Sequence, residues 1–226
     1  MTTNLPCIPK AVIFDVDGTL YDQSKLRLSV VREMFASVLQ QPGRIAELRI
    51  LWRFRKMREK HAAKAAFDLE SRQYEWAAQA AAVSPEKVRG VVKEWMLERP
   101  LAFLQSCRYP GAQALFSELQ RQGIPIGVFS DYPAIDKLSA LGLRAQVIVS
   151  ATCAEVNRLK PDPTGLLVVA AKLDTPAPEC LFIGDQEAKD GECARRAGMP
   201  CLILASRHKN RQLQRLAAWL KDAKQS

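Results

Sequence analysis

Five short apolar runs, separated by stretches with helical spacing, restrict the folding of this chain more than any other feature. KAVIF (10–14), PIGVFS (125–130), QVIVS (146–150), CLFIG (180–184) and PCLIL (200–204) are largely continuous rather than alternating in polarity. That is the pattern of strands covered on both faces of a parallel sheet. The intervening stretches read as helices. YPGAQALFSELQRQG (109–123) sets Ala112, Leu115, Phe116 and Leu119 on one face and stops at Gly123, and DYPAIDKLSALG (131–142) is closed by glycine in the same way. PDPTGLLVVAAKL (161–173) predicts a helix with Asp162 as N-cap and Pro163 in its first turn. EAKDGECARRAG (187–198) and the amphipathic tail complete the series. Strand alternating with helix predicts an α/β fold with a doubly wound parallel sheet.

Residues 23–108 break the alternation. Segments 26–40, 45–67, 70–83 and 84–97 all carry helical periodicity, with no strand signal. The expected organisation is an α/β core from 1–22 and 109–226, interrupted after its first strand by an all-helical cap domain over 23–108. Charge divides along the same line. This segment holds 17 Lys or Arg against 9 Asp or Glu, a net of +8 out of +9 for the 226 residues. No apolar run approaches the length of a membrane span, and the first ten residues lack the layout of a signal peptide. Six cysteines without a C-x-x-C pair and only two histidines indicate neither a zinc site nor a disulfide framework. A cytoplasmic protein with reduced, buried thiols is expected.

In an open parallel sheet, ligands bind outside the carboxyl ends of the strands. Reading just past each apolar run gives Asp15 and Asp17, then Ser130 and Asp131, then Lys160 at the end of the third loop, then Asp185 and Asp190. Carboxylates crowded together repel unless a hard cation sits among them, and an oxygen-only donor set points to Mg²⁺. A cation, a lysine and backbone N–H groups at Gly18 suit a phosphoryl group. Taken alone, Asp15 and Asp17 fit a strand-end turn as well; the later residues decide for a site.

Four fragments in order, DVDGTL (15–20), VFSD (128–131), KPDP (160–163) and GDQEAKD (184–190), together with YPGA at 109, resemble the haloacid dehalogenase superfamily. The resemblance is to its aspartate-nucleophile phosphatases with a helical cap after the first strand, phosphoglycolate phosphatase-like in layout. It implies that Asp15 attacks phosphorus and forms an aspartyl phosphate. It implies that Asp17 protonates the leaving oxygen and later takes a proton from water. Ser130 and Gly18 would bind phosphoryl oxygens, and Lys160 would neutralise charge shared by nucleophile and phosphoryl group. Mg²⁺ would be held by the Asp15 and Asp185 side chains and the Asp17 backbone carbonyl, with Asp190 in the outer shell. Dehalogenases of the superfamily carry tyrosine where Asp17 stands, so Asp17 implies phosphate ester chemistry.

Other residues have more ordinary readings. Asp22 is expected to be structural or a hinge, Asp131 to cap the following helix, and Glu187 to be an alternative to Asp190. On the second cap helix, Arg49, Arg53, Lys56, Lys60 and Lys64 form a basic stripe beside Ile50, Phe54, Met57, His61 and Ala65. A solvated basic face is the ordinary reading. The sharper one is recruitment of a polyanionic substrate, with a nucleic-acid end or an anionic membrane surface as further partners. His61, Trp52 and Trp76 are expected in the cap core. The expected reaction is Mg²⁺-dependent hydrolysis of a small phosphomonoester, with phosphoglycolate, sugar phosphate and nucleotide all open. A phosphomutase and a non-catalytic phosphate-binding module are the rivals.

Overall fold

The computed structural model describes residues 8–61 and 68–223. Five parallel strands, β1 (Ala11–Phe14), β2 (Ile126–Ser130), β3 (Val147–Ser150), β4 (Cys180–Gly184) and β5 (Cys201–Ile203), form one sheet in the order β3-β2-β1-β4-β5. The first strand is therefore central, and the chain winds outward from it to both edges. That makes the carboxyl end of β1 the switch point, where loops on either side diverge and leave a crevice.

Strand residues alternate between two cores. Val12, Phe14, Val128, Leu181 and Ile183 face one side, with Leu115, Phe116 and Leu119 of α6 (Pro110–Gln122) and Leu213, Leu216 and Leu220 of α10 (Lys209–Ala223). Ala11, Ile13, Phe129 and Phe182 face the other, against Leu166 and Val169 of α8 (Thr164–Lys172). α8 lies so close that a Cβ on Gly165 would sit 2.1 Å from the Phe129 ring. α7 (Ile135–Leu141) and α9 (Glu192–Arg196) complete the layers.

Between β1 and α6 the described chain is helical: α1 (Gln23–Gln40), α2 (Ile45–His61), α3 (Leu69–Ala81), α4 (Pro85–Val92) and α5 (Leu101–Cys107). These helices have their own core of Met34, Ile50, Leu51, Phe54, Tyr74, Ala77, Val88, Val91 and Trp95. Buried with it is Glu47, which accepts from Trp95 Nε1 at 2.7 Å and Arg44 Nη2 at 3.1 Å. The two crossings between sheet and helices run side by side, joined by the Tyr21–Arg108 bridge and by bonds from Asp22 N to Cys107 O and Tyr109 N to Leu20 O. Asp22 caps α1, accepting from Ser24 N and Lys25 N.

Several sequence expectations need correction. Asp162 stands one residue before the cap of α8 and accepts from Thr164 N and Oγ1, because Pro163 already has helical backbone angles. The 187–198 helix divides into a wide turn, Glu187–Gly191, and α9. α5 has no counterpart in the expected segments. Trp52 is not in the cap core: it is 52% exposed, with Arg53 and Lys56 over its ring. His61 is half-buried and stacks on Trp76 at 4.3 Å. Arg58, outside the expected basic stripe, is buried, while Lys64 and Ala65 lie outside the described residues. Of the five described cysteines, all free, Cys201 is exposed rather than buried. No described helix is long and apolar enough to cross a membrane.

Candidate active site

The turn after β1 aims its two aspartates differently. Asp15 N still completes the sheet ladder by donating to Ile183 O at 2.9 Å, so its side chain leaves the strand end into the crevice and is buried. Its Oδ1 accepts from Lys160 Nζ at 2.6 Å and its Oδ2 from Thr19 Oγ1 at 3.0 Å. Asp17 meets Lys137 of α7, whose Nζ donates to both carboxylate oxygens at 2.6 and 2.7 Å, and the Tyr21 hydroxyl, which donates to Oδ1. Gly18 makes this turn possible. Its φ is +91°, and a Cβ there would fall 2.6 Å from Asp185 Oδ2. An L side chain would be strained and would collide with the neighbouring carboxylate.

The other strand ends converge on Asp15. Lys160, buried at 3% exposure, also donates to Asp190 Oδ1 at 2.8 Å. Asp190 Oδ2 accepts from the backbone N–H groups of Asp185 and Gln186, tying the wide turn after β4 to the strand end. Lys209, at the start of α10, donates to Asp185 Oδ2 at 2.7 Å and to Gly18 O at 2.8 Å. This leaves Asp185 Oδ1 buried with no hydrogen-bond partner. Asp15, Asp185 and Asp190 each place an oxygen within 4.8 Å of the others. An unpartnered carboxylate oxygen beside two further carboxylates is the donor chemistry of a hard divalent cation, so these residues fit one. Ser130 is buried at the end of β2, where its Oγ accepts from Tyr132 N at 3.3 Å.

Electrostatics separate the two aspartates. Burial, with Asp190 and Asp17 nearby, pushes Asp15 up to about 7 despite the Lys160 ammonium. Burial opposes ionisation of Asp17 as well, but Lys137 and the Tyr21 hydroxyl outweigh it and hold Asp17 below the ordinary carboxylate range. Lys160 is held charged: desolvation works against it, and the carboxylates of Asp15 and Asp190 prevail.

The structure thus brings Asp15, Asp17, Gly18, Lys160, Asp185 and Asp190 together, with Ser130 buried at the carboxyl end of the adjacent β2. It places Asp131 differently from expectation. Its Oδ1 accepts from Lys160 N at 3.2 Å, fixing the lysine loop instead of capping α7. Glu187 is paired with Arg195 near the surface, away from Asp190. Tyr21, Lys137 and Lys209 join the site without a sequence signal. So does Arg58, which donates to Asp131 O at 2.7 Å and lies over the Tyr132 ring at 4.4 Å. A cavity of about 560 Å³ rises from Asp15, Asp17, Lys160 and Asp190 to walls supplied by the helical layer.

A sequence model of the haloacid dehalogenase-like hydrolases matches residues 9–198. A phosphoglycolate phosphatase from Xylella fastidiosa is 27% identical over 200 residues, covering 86% of this chain and 80% of that relative. A glyceraldehyde 3-phosphate phosphatase from Methanopyrus kandleri is 28% identical over 201 residues, covering 84% and 81%. Among solved structures, the beta-phosphoglucomutase from Clostridium difficile superposes with a TM-score of 0.60 at 19% identity, covering 96% of this chain and 98% of that one. At that identity the likeness is one of fold.

Proposed function

Because the chain belongs to the haloacid dehalogenase-like hydrolases, we propose that it is a Mg²⁺-dependent phosphatase that hydrolyses a phosphomonoester through an aspartyl phosphate. The single observation that carries this reading is the contrast between two neighbouring carboxylates. Asp15 is paired with Lys160 beside the unpartnered Asp185 Oδ1, while Asp17 is held apart from them by Lys137 and the Tyr21 hydroxyl. In this reading residues 1–22 and 109–226 are the catalytic core, and 23–108 are its cap. The free cysteines fit a cytoplasmic setting.

Asp15, Asp185 and the Asp17 backbone carbonyl would hold Mg²⁺, which when bound supplies charge to offset the phosphoryl oxygens. Asp190 orients its neighbours: its contacts to Lys160 and to two backbone N–H groups fix the turn that carries Asp185. Asp15, as its carboxylate, attacks phosphorus as the bond to the leaving oxygen breaks. Asp17, which Lys137 and the Tyr21 hydroxyl keep ionised in the free protein, takes up a proton as the phosphate dianion binds and gives it to that oxygen, releasing an alcohol. Water then attacks the aspartyl phosphate and gives its proton to Asp17. Inorganic phosphate leaves and both carboxylates return to their starting state. Ser130, the Gly18 turn and Lys160 hold the phosphoryl oxygens.

The test is phosphate release by the purified protein over a panel of phosphomonoesters, with Mg²⁺ and with chelator. Release that requires Mg²⁺ is expected. A protein that turns over none of the panel and no aryl phosphate would return the reading to a binding module. A requirement for a bisphosphate activator without net phosphate release would indicate a mutase.

Metal binding should also depend on pH. A cation needs Asp15 ionised, so protons compete below about pH 7 and not above it. Calorimetric titration is expected to give a Mg²⁺ dissociation constant that is flat from pH 7.5 to 8.5. Below pH 7 it should rise toward about tenfold per pH unit. A constant value between pH 5.5 and 8 would remove Asp15 from the ligand set.

A further inference from the structure

We propose that the alcohol portion of the substrate is apolar, so that the enzyme acts on phosphate esters of aliphatic or aromatic alcohols. The inference rests on the phosphatase reading above and deepens it. The cavity has two chemically distinct ends. Its floor carries Asp15, Asp17, Lys137, Lys160 and Asp190, the groups that would meet a phosphoryl head. Its walls are hydrocarbon: Leu26, Val30, Met34, Leu51, Trp95 and Leu101, from α1, α2, α5 and the segment after α4.

Polar substrates would find few partners there. Among the described residues, no Ser, Thr or Asn lines the cavity, and Gln23, at the start of α1, is the sole amide that residues 23–108 contribute. Sugar hydroxyls placed against these walls would give up water without replacement hydrogen bonds. The charged lining lies at the rim or is already engaged. Arg58 is engaged with Asp131 O and Gln73, and Arg27 donates to Gln23. Arg55 and Glu59 line the cavity from exposed positions on α2, and Lys189 from the turn after β4. A two-carbon ester such as phosphoglycolate would leave most of about 560 Å³ to water lying on apolar surface.

The apolar wall continues to the surface. Val31, Leu48 and Trp52 line the cavity while 58%, 46% and 52% exposed. Large apolar side chains left in water at the mouth of a pocket contribute little to folding, and they would be covered by the body of an apolar ligand.

The test is a series of n-alkyl phosphates from ethyl to octyl, kept below their micellar concentrations, with phosphoglycolate and glucose 6-phosphate as polar comparisons. The expected kcat/KM rises about threefold to fourfold per methylene until the cavity is filled. The matching alkyl phosphonates, which cannot be hydrolysed, should tighten by similar steps in calorimetry. Val31→Asp should flatten the upper part of both series while leaving ethyl phosphate turnover and the melting temperature close to wild type. A flat or falling series, or phosphoglycolate preferred over octyl phosphate, overturns the inference while the phosphatase reading stands. Absence of turnover for every ester, with phosphonate affinities independent of chain length, overturns both.

Discussion

Asp15→Asn is expected to lower turnover of any phosphomonoester by about 10⁴-fold or more while leaving the fold intact. The substitution is nearly isosteric and keeps an oxygen for Thr19, whose hydroxyl lies 3.0 Å from Oδ2. An amide, however, is too weak a nucleophile to attack phosphorus. It also forfeits the charge that faces Lys160 Nζ at 2.6 Å. The melting temperature should move by only a few degrees: the crowding with Asp190 is relieved as the ion pair with Lys160 is lost. Phosphate release and thermal denaturation check the two halves separately. Ordinary activity in a folded Asp15→Asn protein would rule out Asp15 as the nucleophile. Loss of activity through unfolding would appear in the melting curve instead.

Lys160→Met is the second large effect, and it acts on stability as well as rate. One ammonium, buried at 3% exposure, neutralises two buried carboxylates, Asp15 at 2.6 Å and Asp190 at 2.8 Å. Methionine fills similar space without the charge. Removing one partner from a buried ionic cluster costs about 3–5 kcal/mol. At roughly 2–4 °C per kcal/mol for a chain of this size, the melting temperature should fall by about 6–20 °C. Mg²⁺ should restore part of that loss, because a cation among the carboxylates does some of the work of the missing ammonium. Turnover should fall about 10²- to 10³-fold even in the stabilised protein, as when a preorganised charge is removed from a transition state. A variant with unchanged melting temperature and activity within tenfold of wild type would contradict this account of the cluster.

The concentration of positive charge in residues 23–108 also takes a different meaning in three dimensions. Arg49, Lys56 and Lys60 are exposed, as a solvated basic face requires. Arg58 instead reaches from α2 to the loop after β2, so part of the excess charge joins the helical layer to the α/β layer. The side of that layer turned toward the site is mostly apolar. Net charge therefore described the segment's outer surface better than its cavity.

Much of the architecture was legible in the sequence. CLFIG coincides with β4, residue for residue, and the other four strands differ from their apolar runs by a residue at one or both ends. Continuous apolar runs can be buried only where both faces of a sheet are covered, and the residue after each run must then emerge at the carboxyl edge. That simple geometry located Asp15, Ser130 and Asp185. The failures were local. Pro163 and the wide turn at Glu187–Gly191 shifted helix starts, and Trp52 lies on the cavity mouth where periodicity alone predicted core.

What the sequence by itself determined was the set of acids, hydroxyl and lysine delivered to one edge of a parallel sheet. Tertiary structure decided how those charges pair. Lys137 meets Asp17 across 120 residues, and Lys209 meets Gly18 across 191. Both lysines come from helix starts that carry no motif, so only the packing of α7 and α10 on the sheet brings them within hydrogen-bond distance. The same packing gives the cavity its hydrocarbon walls. Strand-end position follows from hydrophobic pattern along one dimension, whereas charge pairing and cavity shape depend on distances between elements, which packing alone sets.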